Sequence, residues 1–465
     1  MDGLECSEVL FSTLNKELRI ESEYFLKENL RLQNQIEHMK HVRLGDIAFI
    51  TDGIHASIDY DENSGINLIS ATSPRDNIFN LSRKAFISKE AHFANQRTAL
   101  QENDVILSTV GTIGNCAVVD NKILPANADR HVGIIRLQST VLPRMLSTFL
   151  LTKYGKNQTV RETTGNVQPN LFLYKIKEIK IPVFTYDFQN TIEKIIIESQ
   201  KMFETANDYY DEATVILENE LKLNLIQNMT KNNFTQSFSE SFGLTGRLDA
   251  EYYQPKYKKY EETITKYHGG CTTVAEEFSL VVTKCKYDEN FYSYAEIGDV
   301  NIKNGMVNHK KINAENLPAN AKIMTKSGDL LVSKVRPNRG AIAILQEDNI
   351  LVSSAFAVLR KKMNYSAEVL QALLKSDMYK DWMLKYNVGT SYPTIKDDDI
   401  LNLPIPIVSS NISERVEELI SNSMHLSDKA ELLINQAKQI VEIAIEQGEQ
   451  NAFKWCRHNV FLPKE

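Results

Sequence analysis

Residues 163–184 read TTGNVQPNLFLYKIKEIKIPVF, and residues 387–408 read NVGTSYPTIKDDDILNLPIPIV. Both stretches keep a glycine (Gly165, Gly389), a proline four positions on (Pro169, Pro393), a branched apolar residue (Ile176, Ile400) and a closing proline (Pro182, Pro406). Upstream, RIESEYF from Arg19 answers RLDAEYY from Arg247, matching in residue type at every place. Between these lie ENDVILSTVGTIGNCAVV from Glu102 and SGDLLVSKVRPNRGAIAI from Ser327, in which Asp104, Ser108 and Val110 align with Asp329, Ser333 and Val335. The offset drifts from 228 through 225 to 224, as short loop insertions leave it after a duplication. The chain reads as one unit written twice.

The totals fit that reading. A chain of 465 residues with 42% apolar and 24% charged residues is long enough for several compact units, each with its own core. No window approaches the roughly 18 apolar residues of a membrane span, and the start has no basic-then-apolar leader, so a cytoplasmic protein is expected. The five cysteines (Cys6, Cys116, Cys271, Cys285, Cys456) form no C-x-x-C pair, which argues against a disulfide framework and a zinc site. The net charge of -7 argues against nucleic acid, but it is unevenly spread. Residues 41–185 and 245–406 are mildly basic, while 186–230 and 407–450 are acidic.

The paired stretches have strand character, as in Val105-Ile106-Leu107, Val132–Leu137 and Ala341–Ile344, and helical pieces at 141–153 and 366–386 lie between them. After Pro182 and Pro406 the texture changes to long runs without glycine or proline. One apolar seam runs Val416, Leu419, Ser423, Leu426, Ala430, Leu433, Ala437, Ile440, Ala444; its echo runs Ile192, Ile195, Ser199, Met202, Ala206, Tyr209, Ala213, Ile216, Glu220. Spacing of 3 and 4 over this length predicts a coiled coil. The matched small residues predict that the two helices pack on each other; a homodimer stalk is the alternative. The fold class expected is α+β, with two mixed α/β domains separated by two long antiparallel helices forming an intramolecular coiled coil, pseudo-two-fold symmetric.

Helices of 30–40 residues make a spacer of about 45–60 Å, against about 34–36 Å for one turn of B-DNA. Two related, slightly basic domains on such a rod suit the reading of two short sequences with unread bases between them.

The order of domain, long helix, domain, long helix, with DVILSTVGTIG, DLLVSKV and the two glycine-to-proline endings, resembles the DNA specificity subunit of Type I restriction-modification systems, over roughly residues 10–455. The resemblance implies an N-terminal segment (1–40), a target recognition domain (41–185), a central spacer helix (186–232), a second recognition domain (233–406), and a C-terminal spacer helix and tail (407–465). It implies that each recognition domain reads half of a bipartite site in double-stranded DNA, and that the helices act as a ruler and dock two modification (methyltransferase) subunits, with restriction subunits beyond. It places S-adenosylmethionine on the modification subunit and ATP on the restriction subunit, leaving this chain without cofactor, metal or catalytic residues. Residues 1–40 exceed what many relatives show and receive no role.

Recognition domains of this family vary, so candidate DNA contacts rest on chemistry: Arg and Lys suit guanine, Asn and Gln adenine, and all suit phosphate. In the first domain the candidates are Arg75, Arg83, Lys84, Asn127, Arg130, His131 and the loop of Asn166, Gln168 and Asn170. In the second they are Lys303, Asn304, His309, Lys310, Lys311, Lys334, Arg336, Asn338, Arg339 and the loop of Ser391, Tyr392 and Thr394. KVRPNRG is the foremost, since three cations flank a Pro-Asn turn; a solvated hairpin tip is the plainer reading.

Catalytic motifs are faint. NVQPN only imitates a methyltransferase Asn/Asp-Pro-Pro motif, and VGTIGN lacks both dinucleotide-loop spacing and a phosphate-loop lysine. Glu178 and Lys180 mimic the end of a nuclease motif, but the other copy has Ile-Leu-Asn-Leu-Pro there. A stand-alone methyltransferase or nuclease with unrecognised motifs is the alternative, as is a homodimeric coiled-coil DNA-binding protein.

Overall fold

The aligned landmarks fall on equivalent strands in the computed structural model, which describes residues 5–11, 14, 19–80, 85–165, 168–223, 233–389 and 392–460. The chain divides into two units, residues 1–202 with 429–465, and residues 203–428. Among the described residues no helix is long and apolar enough to cross a membrane.

In the first unit a four-stranded antiparallel sheet runs in the order Ala48–Asp52, Val132–Leu137, Val105–Ser108, Cys116–Val118. The second unit repeats it as Phe278–Leu280, Phe356–Lys361, Leu330–Ser333, Ile342–Ile344. Val105, Ile106 and Leu107 are fully buried, as are Leu330, Leu331 and Val332. Strands covered on both faces need continuous apolar runs, which is why these triplets do not alternate with polar residues.

The closing proline motif is the strand that shuts each unit. His41–Arg43 pairs antiparallel with Lys180–Pro182, and Cys271–Thr273 with Pro404–Pro406. A proline cannot donate to a ladder, and these two-stranded ribbons are where one is tolerated.

The arginine–aromatic motif is a clip. Arg19 lies 4.5 Å over the Tyr24 ring and donates to the Arg161 carbonyl at 3.0 Å; Arg247 lies 4.5 Å over Tyr252 and donates to the Asn387 carbonyl at 3.1 Å. The helix that follows, Lys27–Glu37, buries Leu32 and Ile36, and its counterpart Pro255–Thr265 buries Tyr260 and Ile264. Residues 19–37 therefore form part of the repeated frame.

The long helices span Tyr186–Glu220 and Ser410–Gln447. Their 35 and 38 residues correspond to about 52 and 57 Å. Within the first unit the Ser199 hydroxyl donates to the Ala430 carbonyl at 2.8 Å. Within the second, the Ser423 hydroxyl donates to the Ala206 carbonyl at 2.6 Å and Arg415 pairs with Glu212 at 2.8 Å, so the pairing there is antiparallel. Ile192, Ile195, Ser199, Val416, Leu419 and Ser423 are buried along the expected seam. A third column, including Ile196, Tyr210, Leu217, Ile420, Ile434 and Val441, is buried as well. In the second unit it joins the globular core at Leu370, Tyr379 and Trp382. The stripe is wider than a pure helix-helix seam because each helix serves as a wall of the domains too.

The units diverge in their smaller sheets. The first has a parallel pair, Asn67–Ile69 with Ala126–Ala128. The second has Phe291–Ala295 parallel to Ile350–Ser353, widened by Lys310–Asn313 and Ala321–Met324.

Candidate nucleic-acid interface

Each unit carries the same backbone clasp at the tip of its sheet. In the first, Asn170 bridges Val110 on one side and Thr164 on the other, and the Leu171 amide donates to the Thr109 carbonyl at 2.9 Å. In the second, Thr394 bridges Val335 and Val388, the Ile395 amide donates to the Lys334 carbonyl at 3.0 Å, and the Arg336 amide to the Pro393 carbonyl at 2.7 Å. The two glycines of the opening motif make the clasp possible. Gly165 and Gly389 have φ of +101° and +115°, and an added Cβ would stand 2.9 and 3.2 Å from the carbonyl oxygens of Gln168 and Tyr392. Glycine meets that geometry without strain.

The clasps hold one backbone and present different side chains. In the first, Gly111 (φ +74°) follows the bridge and Gln168 is exposed on the facing loop. In the second, Arg336 occupies the place of Gly111 and its guanidinium lies 4.5 Å over the ring of exposed Tyr392. Lys334 is held by Asp397 at 3.0 Å, while Asn338 and Arg339 are exposed on the same turn. The structure thus brings Lys334, Arg336, Asn338, Arg339, Tyr392 and Thr394 together.

Other candidates are placed differently. Asn127 is fully buried and its amide donates to the Asn95 carbonyl at 3.0 Å and the Thr98 hydroxyl at 2.9 Å, so it supports the fold and faces no solvent. Asn304 is likewise buried, its amide 3.3 Å from the Ser427 hydroxyl. Arg130 is exposed beside half-buried His131, whose Nδ1 lies 3.5 Å from Asp129. Arg75 sits on the short strand Pro74–Arg75. Lys310 and Lys311 are exposed on one strand, the first 3.3 Å from Asp299 and the second 5.4 Å from the Phe291 ring centroid; His309 faces Glu347 at 3.2 Å. Lys303 is exposed, 3.5 Å from Asp211, and its carbonyl accepts from Lys375 at 2.8 Å. Burial, with the nearby charge of Lys380, pushes the Lys375 ammonium down to about 7. Arg83, Lys84, Asn166 and Ser391 lie outside the described residues.

The sequence did not single out Phe172 and Tyr174, exposed and stacked with ring centroids 5.9 Å apart just past the first clasp. Their counterparts are Lys396 and Asp398, so the surfaces beside the clasps differ in charge and in aromatic character. The alternation F-x-Y was the available signal. Among the described residues no group of three or more His, Cys, Asp or Glu is placed to hold a metal ion.

Residues 36–215 match the family model described as "Type I restriction modification DNA specificity domain". Among curated proteins, the Type I restriction enzyme HindI specificity subunit of Haemophilus influenzae is 29% identical over 179 residues, which cover 36% of this chain and 37% of that protein. The match therefore spans little more than a third of that relative's length. Among solved structures, the Type I restriction-modification S subunit from M. genitalium aligns over 88% of this chain and 96% of its own at 11% identity and a TM-score of 0.40. The HsdS subunit from Thermoanaerobacter tengcongensis aligns over 88% and 97% at 12% identity and a TM-score of 0.29.

Proposed function

We propose that this chain is the DNA specificity subunit of a Type I restriction-modification complex, a non-catalytic protein of the cytoplasm. Each unit reads one half of a bipartite site in double-stranded DNA. The long helices set the number of unread base pairs and dock two modification subunits. Methyl transfer from S-adenosylmethionine then belongs to the modification subunits, and ATP-driven cleavage to restriction subunits.

One observation carries this reading: the same clasp is built twice with different side chains at its tip. A repeated frame with exchanged tips suits a protein that meets two chemically different targets on one type of polymer. The match of residues 36–215 to a DNA specificity domain supports the same conclusion for the first unit. The charge pattern agrees as well. Phosphate binding is a local matter of lysines and arginines, so the acidic helices that give a total of -7 do not oppose it.

Incubating the purified chain with labelled S-adenosylmethionine and mixed-sequence DNA tests the division of labour. No methyl transfer is expected until a modification subunit is added; transfer by the chain alone contradicts the reading.

A further inference from the structure

We infer that Arg336, braced by Tyr392, is the side chain with which the second unit reads a guanine; this rests on the reading of the chain as a DNA specificity subunit. The first support is the backbone. Arg336 has φ 49° and ψ 55°, a left-handed conformation that costs a residue with a side chain and costs glycine little. The other repeat places Gly111 at this position, with φ +74° and nothing within 4 Å of an added Cβ. The clasp therefore demands a left-handed residue in both units, and the second accepts strain to put an arginine there. Strain of this kind persists where the surroundings fix it and clusters at functional positions.

The second support is the side chain. The guanidinium carbon lies 4.5 Å over the Tyr392 ring, which stays 56% exposed. No carboxylate pairs with Arg336 among the described residues, whereas its neighbour Lys334 is held by Asp397 at 3.0 Å. A guanidinium stacked by one face is fixed in plane and keeps its fork of N–H donors along its edge. That edge matches the O6 and N7 acceptors of guanine in the major groove. Backbone anchoring on both sides, by the Val335–Thr394 bridge and the Arg336 amide bond to the Pro393 carbonyl at 2.7 Å, holds the stack in register.

The test uses the full chain co-expressed with its modification subunit, with the methylated motif read by sequencing that detects modified adenine. R336G restores the residue of the first repeat and relieves strain, so its thermal stability should equal or exceed that of the parent chain. Its motif should lose the requirement for one guanine in one half-site, discrimination there falling about 10- to 100-fold, with the other half and the spacing unchanged. Y392F keeps the ring and should keep the motif; Y392A should relax the same guanine. An unchanged motif in R336G, a parent half-site without guanine, or a destabilised R336G would each overturn the assignment. Failure of the parent complex to methylate any bipartite site would instead sink the underlying reading.

Discussion

Asp104 grips Arg136 on the neighbouring strand side-on, through two hydrogen bonds of 2.7 Å, while its second oxygen also accepts from the Gln101 amide at 2.8 Å. The other repeat reproduces each part, with Asp329 gripping Arg360 at 2.7 and 2.7 Å and accepting from the Lys326 amide at 2.8 Å. The paired carboxylate holds both arginines above the usual guanidinium range.

The two partners are unequally exposed, which makes the consequences of mutation unequal. Asp104 is 1% exposed and Arg136 27%. R136M strands a buried carboxylate and should cost about 3–5 kcal/mol. D104N leaves an arginine that can turn toward water and should cost about 2 kcal/mol. Hydrogen exchange of the Val105–Ser108 amides reads the difference; equal losses would contradict the account.

Ser199 and Ser423 sit where the long helices pack closely enough for each hydroxyl to reach a backbone carbonyl of the facing helix. Both are fully buried opposite fully buried alanines, Ala430 and Ala206. S199A and S423A lose the hydroxyl hydrogen bond and should cost about 1 kcal/mol, while S199L and S423L lose it too and add about 1–3 kcal/mol of overpacking. Urea denaturation separates these; a leucine variant as stable as the alanine one would mean the helices stand further apart.

Lys375 should give the second unit a pH-dependent stability. Its ordinary value is 10.5 and burial lowers it to about 7 in the folded chain. Between these values the unfolded chain holds a proton that the folded chain releases, so stability falls as pH drops through the window and levels off below about 7. K375M removes the group. Its urea midpoint should change less between pH 7 and pH 9.5 than the parent's, and parallel curves would contradict the assignment.

The most legible parts of the sequence were those where the backbone demands one residue type. Gly165 and Gly389 announce a left-handed turn, and the small residues of the seam announce close helices. The parallel pair Asn67–Ile69 with Ala126–Ala128 was hidden, because three-residue strands far apart in sequence carry no periodicity. Asn127 looked like a loop residue from composition, and only the fold shows its amide buried between Asn95 and Thr98. The repeated helix of residues 27–37 is not legible in the sequence because Lys27–Glu37 and Pro255–Thr265 share buried positions, Leu32 with Tyr260 and Ile36 with Ile264, and little identity. At the candidate interface the clasp loops were readable, but the stacking of Arg336 on Tyr392 depends on a bridge between segments that sequence spacing does not reveal.

The central claim is that the two units read independently, and exchange of one of them tests it most directly. Residues 41–185 would be replaced by the corresponding domain of a relative, the chimera co-expressed with its modification subunit, and the methylated motif read by sequencing that detects modified adenine. The account predicts a bipartite motif in which one half changes while the other half and the spacing stay as they were. A contiguous motif, or a change in both halves at once, would contradict it.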